Sequence, residues 1–483
     1  MNKTKIYIIV LSILLLIQTI AFILFNLYYN DKKFKKFVEK EIFQRFKKAD
    51  ESLVTNKIDI LELQSYRIYG NIGNENLSSV KFDNNRFYFL ATKVNGNLED
   101  IWLFSTDIDG TITKEILLGK KNLSESGNSF DIHQENIYIA GEITKEKNSE
   151  LWIIKLSNFI VEWDIILRSK EANTSPIIKK LSNGDIVVAF STKNINTNAL
   201  SLATFRITRE GDITNITIFT GSNRETPMYI LELTNGDYWI VGESKSYGFG
   251  ETDIFILSFD NNDNVKWFKI IGTKFAESPS YLIQMDDSIL ISTLARHFSL
   301  IKINLEGNIE SVKKYINGSI SSLFKLGSTI IATGTIFDPY SPNNIFIFEA
   351  DTNLNMLWEE FFSFNYDETP YNIIGNNNLI YLTGTSYNDK TLRDIWFVKL
   401  KKTTNILLTN SISNLIDAKI EMNQTNIGNE TIINIPISST NKVLFEIDSN
   451  YGLPKAIKER FKKEIEETKK RKSKSSRTSK KKM

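Results

Sequence analysis

Short apolar runs that alternate with polar positions recur along most of the chain, which is the pattern of β-strands. Seven of these runs are alike in sequence and begin 44 to 52 residues apart. They are IWLFST at Ile101, LWIIKL at Leu151, LATFRI at Leu202, IFILSF at Ile254, FSLIKI at Phe298, IFIFEA at Ile345 and IWFVKL at Ile395. A period near 50 residues predicts a repeat array in which each unit buries its faces against its neighbours.

Each repeat contains three further predicted strands. One precedes the apolar run and follows a tight turn, as in YWIVGE at Tyr238 after Asn235-Gly236-Asp237. Another lies upstream and is often entered through a hydroxyl residue and a proline, and a fourth lies downstream. The hydroxyl-proline pairs are Ser175-Pro176, Thr226-Pro227, Ser278-Pro279 and Thr369-Pro370. Seven units of four antiparallel strands predict an all-β fold, a seven-bladed β-propeller over residues 56–402.

The last repeat has a weak fourth strand of its own. The segment QSYRIYG at Gln64 to Gly70 matches the fourth strand KWFKIIG at Lys266 to Gly272. We therefore expect the N-terminal segment to complete the seventh blade, which closes the ring and removes exposed sheet edges.

An apolar run of about 24 residues without a charge extends from Ile6 to Tyr29. About 20 such residues cross a bilayer as a helix. A cleavable signal peptide has a shorter apolar run with small residues at its end, whereas this run ends in bulky side chains. The sequence predicts an uncleaved transmembrane anchor over residues 1–30, in the inner (cytoplasmic) membrane.

The segment that follows the anchor is basic. Residues 31–55 place phenylalanines at helical spacing between lysines, which predicts an amphipathic linker helix that lies on anionic headgroups, pairs with a partner helix or packs on the propeller. Its lysines would keep the propeller in the cytoplasm under the positive-inside rule, but that rule weakens when a long domain follows. We expect the propeller on the extracytoplasmic side.

Charge is distributed unevenly. Residues 1–50 carry ten basic and four acidic side chains, and residues 451–483 carry fourteen basic and four acidic side chains. Because the whole chain has a net charge of +2, the residues between these two segments have a net charge of −14. An acidic body between basic ends suggests that the ends contact surfaces or partners. The chain has no Cys, which excludes disulfides, a thiol nucleophile and a zinc site with Cys ligands.

The repeats stop after Leu400. Residues 403–450 alternate apolar and polar positions in short runs, which predicts a small β extension. Residues 451–483 begin as a basic helix and end in a disordered tail, which either binds an anionic surface or is only solvated. Stacking aromatic residues are absent from the tail, so nucleic acid is not expected as a partner unless the propeller is cytoplasmic. The basic residues are Lys469, Lys470, Arg471, Lys472, Lys474, Arg477, Lys480, Lys481 and Lys482.

Signals for catalysis are weak. His133 and His297 stand apart without metal-ligand spacing, so a structural role is expected for both. The run Asp260 to Asn264 begins like a calcium loop, but it lacks the glycine and the bidentate glutamate, so it predicts a hairpin turn. The sequence predicts no cofactor and no metal.

An acidic residue precedes the first strand of six repeats. If the first strands line the channel, these carboxylates would ring one mouth and attract cations or a basic peptide. Alternatively, each carboxylate binds the backbone of the adjacent blade and holds the ring together, as repetition in every blade favours. The residues are Glu75, Glu125, Glu171, Glu225, Glu277 and Glu368.

The repeat at Asn235 to Gly272, with its turn, glycine-rich hairpin, DIF strand and tryptophan-bearing outer strand, resembles a repeat family of membrane-anchored or secreted bacterial β-propellers. The resemblance covers about residues 64–401 and implies the fold. Trp163, Trp267 and Trp358 in outer strands are also similar to the docking tryptophans of pyrroloquinoline-quinone-type and outer-membrane-assembly propellers. The longer repeat departs from those, so no cofactor is implied.

These patterns predict a non-enzymatic scaffold, tethered to the membrane, that binds protein partners in the cell envelope. Two alternatives remain open. One is a sensor module that binds a small ligand or a cation. The other is a hydrolase that acts on a polymer with two non-repeating carboxylates about 5 to 10 Å apart in a deep pocket.

Overall fold

The computed structural model describes residues 61–448, with gaps at 71–72, 146–147, 170–171, 194–197, 210–211, 215, 296–298, 316–317, 337–343, 363–366, 377, 389–391, 403–414, 419, 425–431 and 436–444. The predicted anchor, linker helix and basic tail lie outside these residues. Every regular element within them is a β-strand. Among them no helix is long and apolar enough to cross a membrane.

The strands form seven antiparallel units of four strands, here called blades 1 to 7. Blade 1 contains β2 (Gly73–Asp83), β3 (Arg86–Asn95), β4 (Leu98–Thr106) and β5 (Ile112–Leu118). Blade 2 contains β6 (Ser124–His133), β7 (Asn136–Lys145), β8 (Asn148–Ser157) and β9 (Ile160–Ser169). Blade 3 contains β10 (Asn173–Lys180), β11 (Ile186–Lys193), β12 (Leu200–Ile207) and β13 (Ile216–Phe219). Blade 4 contains β14 (Glu225–Glu232), β15 (Tyr238–Ser244), β16 (Asp253–Phe259) and β17 (Val265–Gly272).

The remaining blades have the same order. Blade 5 contains β18 (Pro279–Gln284), β19 (Ser288–Thr293), β20 (Leu300–Asn304) and β21 (Ile309–Tyr315). Blade 6 contains β22 (Gly318–Leu326), β23 (Thr329–Ile336), β24 (Ile345–Asp351) and β25 (Met356–Phe362). Blade 7 contains β26 (Asp367–Asn376), β27 (Leu379–Asn388), β28 (Leu392–Lys402) and, as its fourth strand, β1 (Leu61–Tyr69). The strands therefore follow the predicted repeat.

The N-terminal strand completes blade 7, as the sequence predicts. Strand β1 pairs antiparallel with β28, from Leu61 opposite Lys402 to Tyr69 opposite Ile395. A short parallel pairing of Gly73 with Leu392 then joins blade 7 to blade 1. The two ends of the repeat region are thus locked by backbone hydrogen bonds.

The first strands of neighbouring blades contact one another in sequence order. Strand β2 contacts β6, and the series continues through β10, β14, β18, β22 and β26. Strand β2 also contacts β27 of blade 7, which returns the series to its start. A closed series of four-stranded sheets is consistent with a β-propeller.

The hydrophobic core lies between blades. The second and third strands are buried on both faces, which explains why their sequences are almost continuously apolar rather than alternating. One cluster joins Trp239 and Ile256 of blade 4 to Ile291 and Ile301 of blade 5. All four side chains are fully buried. Removing one blade would therefore expose the faces of its neighbours.

The predicted C-terminal extension forms no sheet of its own in the described residues. Its four short strands each add a fifth strand to a different blade, in reverse order around the ring. Strand β29 (Leu415–Asp417) pairs with β21, β30 (Glu421–Gln424) with β17, β31 (Ile432–Ile435) with β13 and β32 (Phe445–Asp448) with β9. This segment covers the outer edges of blades 5, 4, 3 and 2.

Candidate functional site

The first strands of all seven blades surround a cavity of about 770 Å³, here called the central cavity. Each of these strands carries a β-bulge at the same level, which inserts one or two unpaired residues. Bulges redirect side chains, and they occur often beside functional sites. The inserted residues all line the cavity: Ser78, Asn128, Ser175, Pro176, Met228, Ser280, Ser321 and Tyr371.

Three tyrosines converge on one side of the central cavity. Tyr229 of blade 4 and Tyr281 of blade 5 lie edge to face, with ring centroids 6.2 Å apart. Tyr371 of blade 7 is 39% exposed. Burial raises the pKa of the Tyr229 phenol, and the neighbouring phenols of Tyr371 and Tyr281 raise it further. These residues, here called the tyrosine cluster, give the cavity a large aromatic surface.

Two hydroxyls of the tyrosine cluster are used by the cavity wall. Tyr229 donates a hydrogen bond to the carbonyl oxygen of Ser280 in blade 5, and Tyr371 donates one to that of Ser78 in blade 1. The bulges leave these carbonyls outside the strand pairing. Among the described residues, the hydroxyl of Tyr281 has no hydrogen-bond partner. Burial raises the pKa of this phenol, so it stays protonated at neutral pH and can donate to a ligand.

A charged group spans blades 1 to 3. Asp131 of β6 is 6% exposed, and its Oδ2 atom lies 3.0 Å from Nζ of Lys179 in β10. Its Oδ1 atom lies 3.9 Å from Nζ of Lys81 in β2. Both lysines line the central cavity. Two cations therefore flank one carboxylate on this wall.

The predicted acidic ring does not lie open at a channel mouth. The five glutamates within the described residues are at most 3% exposed, which corrects the expectation of accessible negative charge: Glu75, Glu125, Glu225, Glu277 and Glu368. Glu171 lies outside the described residues. Carboxylates buried to this extent offer no accessible surface to a cation or a basic peptide in solution.

The contacts of these glutamates favour the structural alternative. Glu125 accepts a hydrogen bond of 3.1 Å from the backbone nitrogen of Lys120, in the connection from blade 1. Glu277 accepts one of 3.0 Å from the backbone nitrogen of Thr273, in the connection from blade 4. Glu125 and Glu277 thus fix the chain as it passes from one blade to the next.

Burial perturbs two of these carboxyl groups. Desolvation raises the pKa of Glu125 to about 7, and the nearby charge of Asp100 adds to the shift, while the backbone hydrogen bond from Lys120 opposes it. Desolvation also raises the pKa of Glu225 to about 7 against hydrogen bonds from Ser246 and Ser244. Perturbed groups often mark functional sites, but structural networks perturb them too. Neither residue lines the central cavity.

A second cavity of about 570 Å³ lies between the hairpins of blades 3 and 4. At its centre Arg206, only 5% exposed, donates hydrogen bonds to Asp185 at 2.8 Å and to Asp263 at 3.1 Å. The Tyr238 hydroxyl donates to Asp263 at 2.7 Å. Two carboxylates satisfy the guanidinium, so this group connects two blades and presents no open charge to a ligand.

Other sequence predictions can be located. The Oδ1 atom of Asp260 accepts hydrogen bonds of 2.9 Å from the backbone nitrogens of Asn262 and Asn264, which confirms the hairpin turn. His133 ends β6 at an exposed position, and His297 lies outside the described residues. Within the part of the chain that the structure describes, no three acidic or histidine side chains are grouped to hold a metal ion.

Sequence reasoning missed the tyrosine cluster and the two cavity lysines. A signal was present, because Tyr229, Tyr281 and Tyr371 each follow a hydroxyl-proline pair by one or two residues. By itself, the pair predicts only the start of a strand. Without the bulge that follows it, the direction of the next side chains could not be assigned.

No family model matches the chain, and no curated protein matches it. Solved structures do. A polysaccharide lyase, Uly1, is 9% identical, with a TM-score of 0.40, 69% of this chain covered and 91% of that one. A subtype N10 neuraminidase-like protein of a little yellow-shouldered bat strain is 10% identical, with a TM-score of 0.38 and coverages of 71% and 100%.

A third similar structure is the Trypanosoma rangeli sialidase in complex with sialic acid. It is 8% identical, with a TM-score of 0.39; the match covers 71% of this chain and 58% of the sialidase. The similar structures include sialidases and a polysaccharide lyase, which runs against the sequence-based prediction that the chain is not an enzyme. Likeness at this level describes the fold alone and assigns neither a reaction nor a substrate.

Proposed function

We propose that this chain is a seven-bladed β-propeller that binds a saccharide chain in its central cavity and acts on it there. The tyrosine cluster carries the proposal. Sugar rings have apolar faces and polar edges, so they suit a surface of aromatic rings surrounded by hydroxyl groups. Tyr229, Tyr281 and Tyr371 supply the rings, and Ser280 and Ser321 are among the hydroxyl residues of the lining.

The unused hydroxyl of Tyr281 is the group best placed to bind the ligand by a hydrogen bond. Its neighbours Tyr229 and Tyr371 are held by backbone carbonyls, so their rings are fixed while their hydroxyls are occupied. Fixed rings lose little conformational entropy when a ligand stacks on them. Hydrolysis of the bound chain would need a proton for the leaving oxygen and a water molecule that attacks the anomeric carbon. The phenol of Tyr281 can give the proton and regain one from the attacking water.

Within the described residues, the lining of the central cavity does not contain the pair of carboxylates that glycosidases use. Glu232 is its one carboxylate, and it accepts hydrogen bonds of 2.8 and 2.9 Å from the backbone nitrogen of Ser182. The alternative of a hydrolase with two carboxylates in this cavity is therefore less favoured than chemistry that uses a phenol.

The test uses the full-length chain in detergent and a panel of oligosaccharides. Binding is measured by titration calorimetry, and cleavage by the appearance of new chain ends. Tyr281→Phe should weaken binding about five- to tenfold, since it removes one hydrogen bond and keeps the ring. Tyr387→Phe is the matched control, because Tyr387 is 47% exposed and lies outside the cavity lining. The proposal fails if no member of the panel binds or if both variants bind like the parent.

We also propose that residues 6–29 anchor the propeller to the cytoplasmic membrane, with the propeller on the outer side and the tail at an anionic surface. The charge-free run supports the anchor, and the basic tail supports contact with an anionic surface. The outer placement assumes that the long domain after the anchor overrides the basic flank. Protease added to permeabilised and to lysed cells tests it. Digestion of the propeller only after lysis would place it in the cytoplasm instead.

A further inference from the structure

We propose that the ligand of the central cavity is an anionic saccharide, whose negatively charged substituent binds between Lys81 and Lys179. This inference rests on the proposed function and specifies the substrate class of the same site. The cavity then has two chemically different walls. The tyrosine cluster on blades 4, 5 and 7 contacts ring faces, and the lysines on blades 1 and 3 bind the charge.

Repeat symmetry is broken at the lysine position. Strand pairing places Lys81, Asp131 and Lys179 at equivalent positions in the first strands of blades 1, 2 and 3. The equivalent residues of blades 4 to 7 are apolar: Leu231, Ile283, Phe324 and Ile374. The fold thus accommodates apolar residues at this position, and the charges are not a requirement of blade packing.

The charges on this wall do not cancel. Asp131 also accepts a hydrogen bond of 3.0 Å from the backbone nitrogen of Lys180, so its carboxylate is already well stabilised. Lys179 approaches it at 3.0 Å, whereas Lys81 lies at 3.9 Å with a side chain 43% exposed. One lysine neutralises the aspartate, and the second leaves an excess positive charge that faces the cavity.

A cavity strengthens this excess charge. Protein walls exclude water and focus the field of a few charges, which raises the local concentration of oppositely charged ligands. Glu232 is the one acidic residue of the lining within the described residues, and the Ser182 hairpin holds it at the end of β14. Lys81 and Lys179 equal Asp131 and Glu232 in number, but Glu232 is held by Ser182, so the wall of blades 1 to 3 itself keeps a net positive charge that favours an anion.

The alternative is that Lys81, Asp131 and Lys179 only connect three blades. That role predicts a loss of thermal stability when either lysine is replaced, with the same change in affinity for charged and neutral ligands. Recognition of an anion predicts a loss confined to charged ligands. The ratio of the two affinities separates these roles independently of any change in folding.

The experiment compares oligogalacturonate with a neutral galactose oligomer of equal length, bound to the full-length chain in detergent. The variants are Lys81→Met and Lys179→Met, which keep most of the side chain. Lys325→Met is the matched control, because Lys325 also lies in a first strand and forms an ion pair of 2.6 Å with Asp286, but it is not part of the cavity lining.

The parent chain and Lys325→Met should prefer the charged oligomer by about tenfold or more at low ionic strength, and salt should reduce the preference. Each cavity variant should lower the preference about fivefold and leave the neutral affinity unchanged. The inference is overturned if the parent chain binds both oligomers equally, or if both cavity variants keep the whole preference for the charged oligomer. Either result leaves the proposed saccharide site in place. If neither oligomer nor any other saccharide binds, the proposed function itself is wrong.

Discussion

The hydroxyl of Tyr69 donates a buried hydrogen bond of 2.6 Å to the carbonyl oxygen of Gly110. Tyr69 belongs to the strand that completes blade 7, and Gly110 lies in the hairpin between β4 and β5 of blade 1. Near the central cavity, the hydroxyl of Tyr371 in blade 7 binds the carbonyl oxygen of Ser78 in blade 1. The junction of first and last blades is thus fixed at the outer strand and at the inner strand.

Substitution of Gly110 tests the outer contact. Its φ of +80° favours glycine, and an added Cβ would meet Phe397 at 2.7 Å and the Tyr69 hydroxyl at 2.8 Å. Gly110→Ala should lower the free energy of unfolding by about 2 to 4 kcal/mol, from backbone strain and overpacking together. Gly96→Ala is the control, because its φ is +69° and an added Cβ meets nothing within 4 Å.

Urea unfolding of the two variants measures the difference. Gly96→Ala should lose only the strain, about 1 to 2 kcal/mol. Equal losses in both variants would mean that the hairpin accommodates the added Cβ beside Tyr69 and Phe397 without further cost.

The stability of the ring should depend on pH through Glu125 and Glu225. Burial raises the pKa of each from 4.5 to about 7. Between these values the folded chain binds more protons than the unfolded chain, so the free energy of unfolding falls as pH rises. The stabilisation is complete below about pH 4.5 and is lost as pH passes through 7. We therefore expect a lower midpoint of thermal unfolding at pH 8 than at pH 5.

The double variant Glu125→Gln with Glu225→Gln isolates this effect. It removes both titrating groups and should flatten the dependence between pH 5 and 8, whereas Glu62→Gln, at an exposed position of β1, should leave it unchanged. The chain has only two histidines, so little else titrates in this range. If the stability of the double variant falls with pH as steeply as that of the parent chain, these two carboxyl groups are already ionised at neutral pH.

The fold was largely predictable because its signals are local. Strands such as IFILSF at Ile254 carry apolar runs bounded by turns, and their regular spacing reveals the repeat. The match of Gln64–Gly70 to Lys266–Gly272 even identified the closing strand. These features depend on backbone periodicity, which a single sequence displays directly.

The site depends on features that periodicity does not display. A bulge shifts every following side chain by one position, so the inward direction of Tyr281 cannot be inferred from alternation. The burial of Glu277 depends on the connection from the preceding blade, which folds back over its carboxylate. The contrast between Lys81 and Phe324 at equivalent positions emerges only after the strands are aligned through their bulges.

The C-terminal strands should protect the propeller from association. They pair with the outer edges of blades 2 to 5, and an unpaired outer strand offers free backbone groups to another chain. A chain that ends at residue 414 lacks all four strands. It should self-associate at a lower protein concentration than the parent chain and should have a lower midpoint of thermal unfolding. A chain that ends at residue 450 keeps the strands and loses the basic tail. Light scattering should give it the same particle size as the parent chain. If both truncated chains behave alike, the tail rather than the fifth strands controls association.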